Sequence, residues 1–281
     1  MTYENMVRLI QKMKPLSITN IKDVSSSNID IYRIYSKEGV FNLLSLSCKS
    51  LRFYIKGENQ LALIPFIHGS YLYHRKHWVL TECFDLFSSS PINDKNIYNL
   101  IDSIISFQNY YCKNKYETIA RSTTAAYQSK IFQFASKEKN DILRKALFAL
   151  YNQIEYVQEA ITINDFSSNN FAVDAKGNIK VFDFQSCQFL PYPIMLSRII
   201  TNYLPCPLLN GQIIDIKQKK VSDYYYDHFL SKKGITKVEF DKTLELFIFY
   251  DYYFHFKKHS PSANIRKFLL NQLAESAKNI I

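Results

Sequence analysis

Asp165 and Asn170 share the stretch Ile163-Asn164-Asp165-Phe166-Ser167-Ser168-Asn169-Asn170, and Asp183 follows in Val181-Phe182-Asp183-Phe184. These residue types suit phosphoryl transfer. A carboxylate must meet the acceptor hydroxyl, while an amide oxygen and a second carboxylate hold the Mg²⁺ that neutralises the ATP phosphates. Between the two halves lie a short apolar run, Phe171-Ala172-Val173, and a turn at Asp174-Ala175-Lys176-Gly177-Asn178. A hairpin of that kind returns the second acid beside the loop. The competing reading is an ordinary polar hairpin, because Asp and Asn are common in turns. The hairpin, the second Asp and a long helix ahead of the loop, all in order, favour the first.

The elements that must position these groups are legible from periodicity. Met6, Leu9, Ile10 and Met13 predict a short helix within residues 1–20, stopped by Pro15. Ile29, Ile31 and Tyr32-Arg33-Ile34 predict a strand, and Val40 to Leu46 a second one after Gly39. Leu61 to Ile67, a turn at Gly69, and Trp78 to Phe84 predict the next strands, with a linker at Ser88 to Asn93 around Pro91. From Lys95 the period becomes helical. Ile97, Leu100, Ile101, Ile104 and Ile105 mark one helix; Leu143, Leu147, Leu150, Ile154 and Val157 mark another that runs into the Asp165 loop. Arg121 to Lys139, between them, has no clear pattern. Pro191 to Tyr203, Tyr224 to Ser231, Val238 to Phe256 and Asn264 to Ile281 predict further helices, the third apolar nearly all round and therefore buried.

The loop and the later strand resemble those of the aminoglycoside phosphotransferase/choline kinase family. Its loop reads roughly His-Gly-Asp or His-Asn-Asp, four residues, then Asn, and its later strand ends in an Ile-Asp-Trp-like triplet. The counterparts here are Ile163-Asn164-Asp165, Asn170 and Phe182-Asp183-Phe184, with Ile163 departing from the usual His. The resemblance implies an α+β, protein-kinase-like fold: a β-rich N-terminal nucleotide-binding lobe over 1–90 and a larger, mainly helical catalytic and acceptor-binding lobe over 91–281. It implies Asp165 as base, Asn170 and Asp183 as Mg²⁺ ligands, and ATP as the nucleotide. Ser25 to Ile34 resembles a serine version of the family's phosphate-covering turn and strand. The family's ATP-binding lysine would fall on or next to Ser45, where there is none; Lys49 and Lys56 are nearest, and Lys49 is the candidate. Glu82, Cys83 and Phe84 fall where the hinge would meet adenine. Many relatives brace the catalytic loop with an Asp in the helix that follows; this chain offers Ser197 and Arg198, and Arg198 reads as a surface arginine. Helices of this lobe line the acceptor pocket in relatives, so acids such as Glu245 and Asp251 are candidates to hold a cationic acceptor.

Composition sets the remaining bounds. The 281 residues are enough for two lobes, and 47% hydrophobic with 21% charged residues reads as globular. The abundant Tyr and Phe suit filled cores and could stack on a base or a cation. A net charge of +10 favours anionic partners in general. Lys217, Lys219 and Lys220, near Tyr224-Tyr225-Tyr226, read as a solvated loop rather than an extended basic face, so nucleic acid is not an expected partner. The cysteines are scattered, without a C-x2-C pair, which argues against a zinc site or a disulfide framework. The opening residues lack a signal-peptide pattern and no apolar run is long enough to span a membrane, so the cytoplasm is expected. No H-E-x-x-H, G-x-S-x-G or Walker A pattern occurs. The expectation is an ATP-dependent phosphotransferase acting on the hydroxyl of a small molecule such as an aminoglycoside, a choline-like amino alcohol or an amino sugar. The alternative is a kinase-like protein, weak or inactive in catalysis, with a structural or regulatory binding role of the spore-coat type.

Overall fold

The computed structural model describes residues 2–25, 29–57, 61–86, 96–111, 120–164, 171–174, 178–181, 183–204, 213–260 and 262–281. The chain divides into two compact units, Met1–Tyr110 with Ser167–Ser186, and Tyr111–Phe166 with Cys187–Ile281.

In the first unit the alternating apolar residues form an antiparallel sheet of five strands. These are β1 (Ile18–Asp23), β2 (Ile31–Ser36), β3 (Gly39–Leu46), β4 (Ile67–Tyr73) and β5 (Lys76–Glu82), in the order β1-β2-β3-β5-β4. Helix α1 (Tyr3–Met13), capped by Thr2, covers one face. Its Leu9 and Ile10 pack with Ile34, Phe41, Leu43, Trp78 and Leu80. Each such side chain, fully buried, contributes about 1.5–3 kcal/mol. Two expectations fail here. Leu61, Leu63 and Ile64 are buried but form a turn, so their strand begins only at Ile67. Gly69 is no turn either: it lies inside β4, and the chain reverses at His74-Arg75, whose φ values of 48° and 61° are left-handed. The glycine answers a tertiary demand. A Cβ at Gly69 would stand 2.8 Å from Met13 Cβ and 2.9 Å from the Met13 carbonyl oxygen. Gly69→Ala is therefore expected to cost about 1–3 kcal/mol, read as a lower melting temperature. An unchanged melt would mean that α1 yields freely.

Helix α2 (Cys48–Lys56), which periodicity did not announce, follows β3 directly. Ser47 caps it, accepting from the Ser50 amide at 3.1 Å. A second, three-stranded sheet joins β6 (Phe84–Leu86), β8 (Phe171–Asp174) and β9 (Ile179–Val181) in the order β6-β8-β9. Helix α3 (Ile97–Tyr110) completes the unit with the expected apolar face. Phe53 of α2, Phe107 of α3 and Phe184 stack, Phe184 lying 5.5 Å from Phe53 and 5.7 Å from Phe107 between ring centroids. That stack fixes the chain next to Asp183.

The second unit is helical around a two-stranded ribbon, β7 (Glu159–Ile163) with β10 (Cys187–Pro191). The unpatterned stretch Arg121 to Lys139 contains α4 (Thr124–Lys137). Next come α5 (Asp141–Ile154), capped by Asn140, and, after the ribbon, α6 (Pro193–Tyr203), α7 (Ile216–Tyr225), α8 (Lys237–His259) and α9 (Ala263–Ala277). Helix α8 is the buried one, with Phe240, Leu244, Phe247, Ile248 and Phe249 among its enclosed residues. Glu138, between α4 and α5, ties that turn to α8 through the Tyr253 hydroxyl at 2.6 Å and Lys257 at 2.8 Å. Among the described residues no helix is long and apolar enough to cross a membrane.

Candidate active site

Asp183 belongs to the first unit. The turn ahead of it is closed by Asp174, whose carboxylate accepts from the Asn178 backbone and side-chain N–H groups, each at 2.9 Å. The Val181 amide then donates to the Leu63 carbonyl at 2.8 Å, and Phe184 enters the aromatic stack. Between these two anchors the Asp183 Oδ1 accepts from the Ser50 hydroxyl at 3.1 Å and from the Gln185 amide at 2.8 Å. Both bonds fall on one oxygen, and Oδ2 takes none from the described residues. Lys49 sits in the first turn of α2 rather than at the end of β3, and its ammonium donates to the Gln185 carbonyl at 2.9 Å. The start of α2 therefore grips Asp183 to Gln185 with two consecutive side chains. Sequence reading reached Lys49 but passed over Ser50.

The hinge candidates have structural partners. Glu82 Oε1 accepts from the Phe66 amide at 2.9 Å and pairs with Lys180 at 2.9 Å; Lys180, itself buried, also faces Asp174 at 3.6 Å. The Phe84 carbonyl accepts from Arg33 at 2.8 Å and from Asn42 at 3.0 Å. Cys83, partly exposed, lies between them. Lys180 was missed because a lysine between Ile179 and Val181 reads as a solvent-facing strand position.

The residues that lead to Asp165 belong to the second unit. Asp165 and Asn170 themselves lie outside the described residues. Ile163, where the family usually carries His, is fully buried and pairs with Cys187 across the ribbon. Arg198 is not a surface arginine: its side chain is 19% exposed and it grips Asn164. One guanidinium nitrogen donates to the Asn164 carbonyl and, at 2.7 Å, to its side-chain oxygen. Behind it, Asp251 of α8 faces the Arg198 Nε at 4.0 Å and accepts from the Ser197 hydroxyl at 2.5 Å. Burial pushes the Asp251 carboxyl above its ordinary value, with Arg198 and Ser197 holding it down. Arg198 of α6 thus holds Asn164, with Asp251 of α8 behind it. Glu245 of α8 is also raised by burial, and next by Asp241. Among the described residues no three His, Cys, Asp or Glu side chains gather as a metal site.

No protein-family model matches the chain, and no curated protein matches it by sequence. Solved structures do match. An aminoglycoside phosphotransferase from Alicyclobacillus acidocaldarius aligns with a TM-score of 0.59 at 11% identity, over 94% of this chain and 91% of that one. The chain has the aminoglycoside phosphotransferase fold. A Plasmodium vivax ethanolamine kinase aligns with a TM-score of 0.57 at 11% identity, covering 100% of this chain and 86% of that one. A spectinomycin phosphotransferase in complex with ADP and spectinomycin gives 0.54 at 9%, covering 100% and 98%. The expected α+β, protein-kinase-like class, with a small sheet-rich N-terminal part and a larger helical C-terminal part, is thus met in this divergent example of the phosphotransferase fold.

Proposed function

We propose that this protein is an ATP-dependent phosphotransferase acting on the hydroxyl of a small molecule. The observation that carries the reading is Asp183, held after its hairpin by Ser50, Gln185 and the Phe184 stack, with Oδ2 taking no hydrogen bond from the described residues. A hard carboxylate oxygen beside an amide donor suits Mg²⁺, and Asn170 would supply the amide. Bound there, the metal would neutralise charge on the phosphates. Asp165 would take the proton as the acceptor oxygen forms its bond to the γ-phosphorus and the bond to ADP breaks. Arg198 would set the loop through Asn164, Lys49 would face the phosphates, and Glu82 to Phe84 would border adenine.

A thermal-shift titration with ATP, with and without Mg²⁺, tests the reading. Saturation to a hundred times Kd would stabilise the fold by about 2.7 kcal/mol. ADP release is then scored against a panel of alcohols. Ser50→Ala should weaken the Mg²⁺-dependent affinity for ATP several-fold, read as a displaced thermal-shift titration, since one hydrogen bond of about 1 kcal/mol is lost from the ligand carboxylate; an unchanged titration would remove Ser50 from the site. The second reading, a binding module without phosphotransfer, is favoured by Lys49 lying off β3 and by the buried Ile163. A protein silent to Mg-ATP would decide for it.

A further inference from the structure

Lys180 of β9 stands between two acids of the first unit. Its ammonium meets Glu82 of β5 at 2.9 Å and Asp174 of β8 at 3.6 Å, and the side chains of Lys180 and Asp174 are only 9% and 6% exposed. The backbone repeats the link: in the sheet β6-β8-β9, Phe84 pairs with Asp174 and Ala172 pairs with Lys180. The segment Glu82 to Phe84 is therefore tied to one hairpin at both ends, by charge at Glu82 and by the sheet at Phe84. That hairpin leads to Asp183, which lies three residues beyond Lys180 and at most about 10 Å away along an extended chain. Glu82 is held from the other side as well, since its Oε1 accepts from the Phe66 amide at 2.9 Å.

A buried ion pair adds little to stability, because apolar side chains of similar volume pack as well or better. What the charges add is geometry. An ammonium between two carboxylates sets each acid in distance and direction, whereas apolar contact is non-directional. We propose that Lys180 is a positioning residue for nucleotide recognition. It holds Glu82, and with it the segment that would border adenine, at a set place relative to Asp183. The base and the phosphates of one nucleotide can then meet their partners together. The role rests on the kinase reading and is exerted through Glu82, without contact between Lys180 and the nucleotide.

The test titrates the whole protein, by calorimetry, with Mg-ATP and with Mg-tripolyphosphate, which carries the phosphates without the base. The parent is expected to bind ATP the more tightly. Lys180→Met is expected to weaken ATP about tenfold, the worth of one or two hydrogen bonds to the base, and to leave tripolyphosphate unchanged. Should that variant fail to fold, Glu82→Gln takes its place. It keeps an acceptor for the Phe66 amide and leaves Lys180 paired with Asp174, and it is expected to narrow the preference for ATP several-fold. Equal weakening of both ligands would make Lys180 a structural residue only and overturn the inference. ATP affinity unchanged in both variants, or a parent that binds tripolyphosphate as tightly as ATP, would overturn it and leave the kinase reading intact. A parent that binds neither ligand would sink the kinase reading and this inference with it.

Discussion

Asp183→Ala is expected to abolish the Mg²⁺-dependent part of stabilisation by ATP and to lower turnover by on the order of 10³-fold, the loss expected when a group stabilising transition-state charge is removed. Asp174 closes the turn, Phe184 is clamped by Phe53 and Phe107, and among the described residues the carboxylate between them is oriented through Oδ1. An acid whose described hydrogen bonds fall on one oxygen is pre-set to offer the other to a cation. The fold should survive the change, because two hydrogen bonds of about 1 kcal/mol each are at stake in a partly exposed residue. Asp183→Asn retains an oxygen for Ser50 and Gln185 but loses the charge, so it separates metal binding from local support. Full turnover in either variant would end the assignment of Asp183 as a metal ligand.

What could be read in the residues themselves followed from local pattern. The hairpin at Asp174 to Asn178 announces itself through turn chemistry, and α8 through an apolar surface on every side. What could not be read depends on partners distant in the chain. Gly69 looks like a turn until Met13 is placed against it. Lys180 looks solvated until Glu82 and Asp174 meet it. Helix α2 is short and mixed in polarity, and its reason for existing is tertiary: Phe53 for the aromatic stack, Lys49 and Ser50 for the Asp183 segment. The contacts of Asn164 show the same limit. The expected acid leads to Ser197 and Arg198, whereas Asp251 of α8 stands behind them and Arg198 makes the contact to Asn164.

That contact supports the second large effect. Arg198→Met removes the cation facing Asp251, whose side chain is 12% exposed, and the donor to Asn164. Leaving an enclosed carboxylate without its partner costs about 3 kcal/mol, and the lost Asn164 contacts about 1 kcal/mol more. The first part depends on pH. Asp251 has a folded pKa above its ordinary 3.8, so the native state holds this proton more tightly than the unfolded chain. Its contribution is fully present below 3.8 and is lost as pH rises through the folded value. Removing Arg198 raises that value further. The variant's deficit against the parent should therefore be small in acid, where Asp251 is neutral, and grow toward neutral pH; urea midpoints at mildly acidic and neutral pH would show it. Adding Asp251→Asn to Arg198→Met should recover most of the neutral-pH loss, since no buried charge remains, but not the turnover, since Asn164 is still unbraced. A deficit that ignores pH, or a double variant no more stable than the single one, would show that Asp251 and Arg198 are neighbours without being coupled.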